Sequence, residues 1–208
     1  MSNIFDKIHK PKNCLLLIAL PVTEGDFYKD LEDESLKDYA KLRARLMKFR
    51  PESLWKIDHL PLVNLLKNTA LVVEKAGVTV KWNVCLKDLK DLSNFDVVTL
   101  VAHFNNEKKQ VELYDKLHSV DDIVANFDET FTGFLDLSVC NSTVLQDKMK
   151  EKYEHQFFIK ANKGLAELKI HLKIYKAIIQ LLSRKDNNYL TTSMRLMSDL
   201  NDYVSKKQ

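Results

Sequence analysis

Two short hydrophobic runs each end on a residue able to do nucleophilic or proton-transfer chemistry: Asp96-Val-Val-Thr-Leu-Val-Ala-His103 and Phe131-Thr-Gly-Phe-Leu-Asp-Leu-Ser-Val-Cys140. A cysteine paired with a histidine is the simplest machinery for covalent acyl transfer. The thiolate attacks, and the imidazole stabilises it and later protonates the leaving amine. Backbone N–H groups near His103 and Cys140 are candidates to hold the oxyanion. Neither run has helical spacing, and both are rich in Val, Leu and Phe, so each is predicted to be a buried strand of a parallel sheet. Ligands and chemistry collect beyond the carboxyl ends of such strands, where His103 and Cys140 fall. If the two strands are neighbours, the residues face each other.

The elements that must hold this pair can be read along the chain. Cys14 to Pro21 predicts a first buried strand, with Cys14 a core thiol. Apolar residues from Phe27 to Phe49 recur near helical spacing and stop at Pro51. A second helix is expected from about Leu62 to Lys75, closed by Gly77 in the left-handed conformation, then a strand from Val78 to Cys85. Leu86 to Leu92 predicts a turn or short helical piece. After His103 a polar loop leads to a hairpin-like strand at Val111 and Leu113. Ser119 and Asp122 have capping-box spacing for a helix from Val120 to Phe127. Asn141, Ser142 and Thr143 are good N-cap residues for a helix from Val144 to Tyr153, which puts Cys140 at a strand-to-helix junction. There the positive end of the helix dipole and a nearby imidazolium both favour the thiolate. A strand over Gln156 to Ala161 follows. Gly164 then opens a long helix with a broad apolar stripe that includes Leu168, Leu172, Tyr175 and Ile179, and a last helix has Met194, Met197, Leu200 and Val204 on one face.

Alternating strands and helices predict an α/β fold with a mainly parallel central sheet flanked by helices, in one domain over 1–208 whose last third, from about 164, is helical. With 208 residues and 45% apolar composition, the chain can bury one sizeable core. Its 32 basic and 29 acidic residues leave a net charge of +3, too small to argue for nucleic acid or an anionic membrane surface. The longest apolar run, Cys14 to Val22, is too short to span a bilayer, and no signal-peptide pattern opens the chain. A cytoplasmic protein with reduced thiols is therefore expected. The 3 cysteines make neither a disulfide framework nor a zinc site. Gly25, Gly77, Gly133 and Gly164 form no dinucleotide or phosphate-loop pattern, so no cofactor is expected. His118 and His155 fall in expected loop or surface segments and Cys85 reads as a structural thiol; none is assigned chemistry.

At the two chemical blocks the chain resembles a known family. VVTLVAHF looks like the strand-to-histidine block, and FLDLSVCNS like the strand-to-cysteine block, of caspase-like cysteine peptidases, in particular their bacterial CHAT branch. The order of elements is similar from Cys14 to Leu182, but the specific likeness is confined to those blocks. The resemblance implies a caspase-like three-layer sandwich, with His103 as general acid and base and Cys140 as nucleophile, after the third and fourth strands of the sheet. It implies a cysteine endopeptidase acting on a protein substrate, with a companion protein as activator or sensor. Asp136 lies four residues before Cys140, on the same face of an extended strand. It is a candidate to bind a basic substrate side chain, as acidic groups in related peptidases do, or a structurally paired acid. The resemblance also implies that the backbone N–H groups of Cys140 and of the residue after the histidine, here Phe104, hold the oxyanion. The chain departs from the family where Phe104 replaces the usual Gly and Val139 the usual Ala. Those departures keep open an alternative, a catalytically degenerate caspase-like module that binds or scaffolds a protein. A third reading, a flavodoxin-like regulatory domain, would use acids at the strand ends such as Asp88 and Asp91.

Overall fold

A computed structural model describes residues 11–30, 53–105, 108–139, 141–154, 156–162, 168–182 and 192. The expected final helix from Met194 to Val204, most of the helix expected up to Phe49, and Gly164, His155 and Cys140 lie outside the described residues. The described residues fall into two compact units, one within Pro21–Asn68 and one from the rest of the chain.

The larger unit is an α/β fold around a mostly parallel sheet flanked by helices. Its strands are β1 (Cys14–Ile18), β2 (Thr79–Trp82), β3 (Val97–Asn105), β4 (Gln110–Glu112), β5 (Leu117–Ser119), β6 (Phe134–Val139) and β7 (Phe158–Lys160). β2, β1, β3, β6 and β7 lie side by side in that order, all parallel. β4 and β5 form an antiparallel extension on the end of β3. β1 and β6 are buried along their whole length, as is β3 from Val97 to Ala102, which is why these stretches read as continuous apolar runs.

Register is set at the amino ends of the strands by Asp96. Its carboxylate accepts hydrogen bonds from the Lys12 and Asn13 backbone N–H groups at 2.7 and 3.1 Å. Its own N–H donates to the Asn13 carbonyl, and its carbonyl accepts from Phe134 at 2.9 Å. Gly133 permits that last approach, because a Cβ there would strike the Asp96 carbonyl oxygen. The pairing then runs without a bulge from Val97 opposite Phe134 to Ala102 opposite Val139.

One face of the sheet, with Leu15, Leu17, Val98, Leu100, Leu135, Leu137 and Val139, makes the main core with α3 (Val120–Asn126) and α4 (Thr143–Tyr153). Alternation turns Leu16, Thr99, Val101, Asp136 and Ser138 to the other face. The helix α5 (Leu168–Leu182) buries Leu172, Tyr175, Ile178 and Ile179, a stripe at three- and four-residue spacing. The capping box predicted for α3 is present: Asp122 N–H donates to Ser119 Oγ at 3.0 Å, and Ser119 N–H to the Asp122 carboxylate at 3.2 Å. Leu86–Leu89 forms the expected short piece, a 3₁₀ turn.

Within Pro21–Asn68, α1 (Glu24–Asp30) starts earlier than its apolar spacing suggests, because Thr23 Oγ1 accepts the Asp26 N–H at 3.1 Å and caps it. The helix α2 (Leu60–Lys75) also starts before the predicted Leu62 and is preceded by a π-helical turn, Trp55–His59. Pro61 has no N–H to give, which the first turn of a helix tolerates. Just before it the Leu60 N–H reaches the Trp55 carbonyl across the wider turn, and helical backbone runs through. At the other end Gly77 takes φ +90°, with its N–H on the Glu74 carbonyl at 2.9 Å, as a left-handed stop. Among the described residues, no helix is long and apolar enough to cross a membrane.

Candidate active site

The carboxyl end of β3 lies against the carboxyl end of β6. Val101 pairs with Ser138 and Ala102 with Val139, the last pair between these strands. β3 does not end on His103 as predicted but continues to Asn105, because residues 103–105 pair with β4, His103 opposite Glu112 and Asn105 opposite Gln110. His103 is solvent-exposed. It follows Thr99 and Val101 in alternation, so it belongs to the face that Asp136 and Ser138 share. Cys140 lies outside the described residues, and the chain enters and leaves it through Val139 and Asn141.

Phe104 and Val139 both pack on the main core. Phe104 alternates to the face opposite His103, where its half-buried ring packs on the main core, and its backbone stands opposite Val111. Val139 is fully buried in the same core. Its side chain points away from the face of Ser138, so it does not crowd that face.

The turn after β6 is bound on both sides. Asn141 adopts the left-handed conformation at φ +46°, which Asn tolerates better than most residues. Ser142 stands at the N-cap of α4, but its side chain does not cap the helix as predicted. It is fully buried, and its Oγ accepts the Asn162 N–H at 2.9 Å and lies 3.4 Å from the Leu137 carbonyl. Asn162, just beyond β7, reaches back with its amide to the carbonyls of Leu137 and Val139 at 2.9 and 3.2 Å. These contacts join the end of β6, the turn and the start of α4, whose first backbone bond runs from Gln146 N–H to the Ser142 carbonyl. Ser142 has a sequence signal, though for a different role. Asn162 has none, since an Asn in a polar loop looks like any other.

Asp136 is buried, and both carboxylate oxygens accept hydrogen bonds from Lys160 Nζ at 2.9 Å. The two residues are register partners on β6 and β7. A basic substrate group would have to displace Lys160 to reach this carboxylate. Burial and then the Lys160 ammonium push the nearby His171 imidazole of α5 below its ordinary pKa, with Asp136 opposing, so it favours the neutral form.

The remaining candidates have structural surroundings. Burial, then Asp96, pushes the Cys14 thiol up to about 12. Cys85 also has a raised pKa, from burial and then the Asp115 and Asp88 carboxylates, and its Sγ lies 3.5 Å from the Asn83 carbonyl. Asp88 accepts the Cys85 N–H at 2.8 Å and pairs with Lys81 at 2.8 Å, so it serves the 3₁₀ turn. His118 is not the surface residue that its polar neighbours suggest. It is buried on β5, its Nε2 3.0 Å from the Asp115 carboxylate. Among the described residues, no group of His, Cys, Asp or Glu side chains is placed to hold a metal ion. No protein-family model matches the chain, and no curated protein matches it in sequence.

Proposed function

We propose that this chain is a cysteine endopeptidase of the caspase-like type, with Cys140 as nucleophile and His103 as its acid and base. The observation that supports this reading is the parallel register of β3 on β6, which ends with Ala102 opposite Val139. Those two residues immediately precede His103 and Cys140 in the chain. The strand order β2-β1-β3-β6-β7, the antiparallel hairpin after β3 and the helix after β6 fit a caspase-like three-layer sandwich.

In the proposed reaction the Cys140 thiolate attacks a peptide carbonyl carbon, and the oxyanion is met by N–H groups at Cys140 and Phe104. His103 gives its proton to the leaving amine, which departs as the new amino terminus. His103 then takes a proton from water, the hydroxide attacks the acyl carbon, and the C–S bond breaks to return the thiolate and release a carboxylic acid. The substrate is a protein, and a companion protein serves as activator or sensor. No cofactor enters these steps.

One observation favours the competing module that binds protein without cleaving it: Phe104, where the family has Gly, is tied into the β3–β4 ladder opposite Val111. A flavodoxin-like domain would share the strand order and bind its ligand between the ends of β1 and β3. There Ala19 and Leu20 are buried and apolar, and Asp88 is engaged by Lys81.

The decisive test is the pH dependence of iodoacetamide labelling at Cys140, read by mass spectrometry in wild type and His103→Ala, alongside peptide-library hydrolysis by wild type and Cys140→Ala. The reading expects a Cys140 thiol pKa below the ordinary value of about 8.5 that rises on loss of His103. It also expects hydrolysis that Cys140→Ala abolishes. A Cys140 thiol with ordinary pKa in both proteins would replace the peptidase with the binding module.

A further inference from the structure

The strongest new feature lies next to the proposed dyad, in residues that neither nucleophile nor base explains. A nucleophile on a strand-to-helix turn acts only if the turn holds it at a fixed place relative to its base, since a displacement of about 1 Å can cost about 100-fold in rate. A turn held only by its own backbone is a poor mount. Here the flanks of position 140 are tied from outside the turn, by the loop after β7.

We propose that Asn162, acting with Ser142, is the positioning residue of the candidate active site: it clamps the carboxyl end of β6 and the start of α4, the two described flanks of Cys140. This inference rests on the peptidase reading above and adds a residue to it. The amide of Asn162 donates to the carbonyls of Leu137 and Val139, at 2.9 and 3.2 Å. These residues share the core face, so the same amide grips two successive turns of the pleat on the strand that leads into Cys140. The Asn162 N–H donates to Ser142 Oγ at 2.9 Å, on the far side of the turn. Ser142 is fully buried, and its Oγ also lies 3.4 Å from the Leu137 carbonyl, so the three groups close a ring of polar contacts. Between the two held flanks, Asn141 is kept at φ +46°. A backbone in that region persists where its surroundings hold it.

Two features mark this as more than ordinary loop capping. β7 pairs with β6 only as far as Lys160 opposite Asp136, so beyond it the Leu137 and Val139 carbonyls have no β7 strand partner and meet the Asn162 amide instead. Ser142 stands at the N-cap of α4, where its hydroxyl would ordinarily cap a backbone N–H, yet it is turned to Asn162 instead.

The test uses the full chain and the labelling profile of Cys140 against pH in wild type, Asn162→Ala, Ser142→Ala, His103→Ala and the double variant His103→Ala with Asn162→Ala. Thermal midpoints are measured in parallel, and protection of Cys14 from labelling reports that each variant is folded. The expected result is a rise of about one unit in the Cys140 thiol pKa in Asn162→Ala, seen as a fall in labelling rate of roughly 10-fold at neutral pH. A smaller rise is expected in Ser142→Ala, and no further change when Asn162→Ala is added to His103→Ala. If Asn162→Ala does not fold, Ser142→Ala reads the same clamp through its other end. A lowered thermal midpoint with an unmoved pH profile, in a protein whose profile does respond to His103→Ala, would overturn the positioning role and leave the dyad standing. A profile that His103→Ala does not move would overturn the dyad, and the positioning role with it.

Discussion

Asp128 is the residue whose chemistry is most completely described, and it holds loops rather than substrate. One carboxylate oxygen accepts the backbone N–H groups of Leu92 and Ser93 at 2.7 and 2.8 Å, and the other accepts the Thr130 N–H and hydroxyl at 2.8 and 2.6 Å. Burial alone would push its pKa up, but the bonds from Thr130, Leu92 and Ser93 outweigh it, so the folded value lies below the ordinary one. Such a group contributes fully above its unfolded pKa of about 3.9 and loses its contribution as pH falls through the folded value. Asp128→Ala should therefore cost about 3 kcal/mol at neutral pH, and the gap to wild type in urea denaturation should narrow at about pH 3. A gap independent of pH would mean that the loss comes from packing instead. The same scale separates the thiols. Cys85 is half-exposed, yet burial and two carboxylates favour its protonated form, so it should label more slowly than an unperturbed thiol at neutral pH. His103 and Cys140 were conspicuous in the sequence because apolar runs end on them. Asn162 was not, because its partners are main-chain carbonyls that no residue pattern identifies.

At the scale of elements, local chemistry was legible and long-range pairing was not. The Ser119–Asp122 box and the Gly77 stop depend on neighbours along the chain, and both are present. Ser119→Ala should cost about 1 kcal/mol in thermal denaturation. The apolar run stops short of the end of β3, because residues 103–105 are held in the strand by pairing with β4 and not by burial on both faces. The Asp136–Lys160 pair is equally invisible without strand order, since its members are 24 residues apart. With a buried carboxylate at one end and a half-buried ammonium at the other, it makes a sharp prediction. Lys160→Met alone should destabilise the fold by about 3 kcal/mol, by leaving a buried carboxylate unpaired, whereas Asp136→Leu with Lys160→Met should fall close to wild type. If Lys160→Met is harmless to stability and Asp136→Asn instead alters which peptides are cleaved, the carboxylate belongs to substrate recognition. Gly133 is the element-scale control of the site itself. Adding a Cβ forces Phe134 away from Asp96, so Gly133→Ala should lower stability and also disturb labelling at Cys140, at the other end of the strand.

On the scale of the whole molecule, the sheet is organised from its middle outward. The sequence identified apolar strands in order, but it could not say that β2 and β3 flank β1, because a run buried on both faces carries no mark of its neighbours. Cys14 turns this arrangement into a measurement. It lies in β1, buried, opposite Val97 of β3, and its thiol is pushed up to about 12. In the folded protein at pH 7.5 only about one such thiol in ten thousand or fewer is ionised. Alkylation should therefore pass through states in which β1 has left the sheet. Removing β1 separates β2 from β3 and exposes the strands on both sides, so no small opening should suffice. With labelling slow relative to refolding, the logarithm of the Cys14 labelling rate should rise with urea at a slope matching equilibrium unfolding followed by circular dichroism. A slope much shallower than that would mean that β1 opens locally, and that the sheet is less cooperative than its central strand implies.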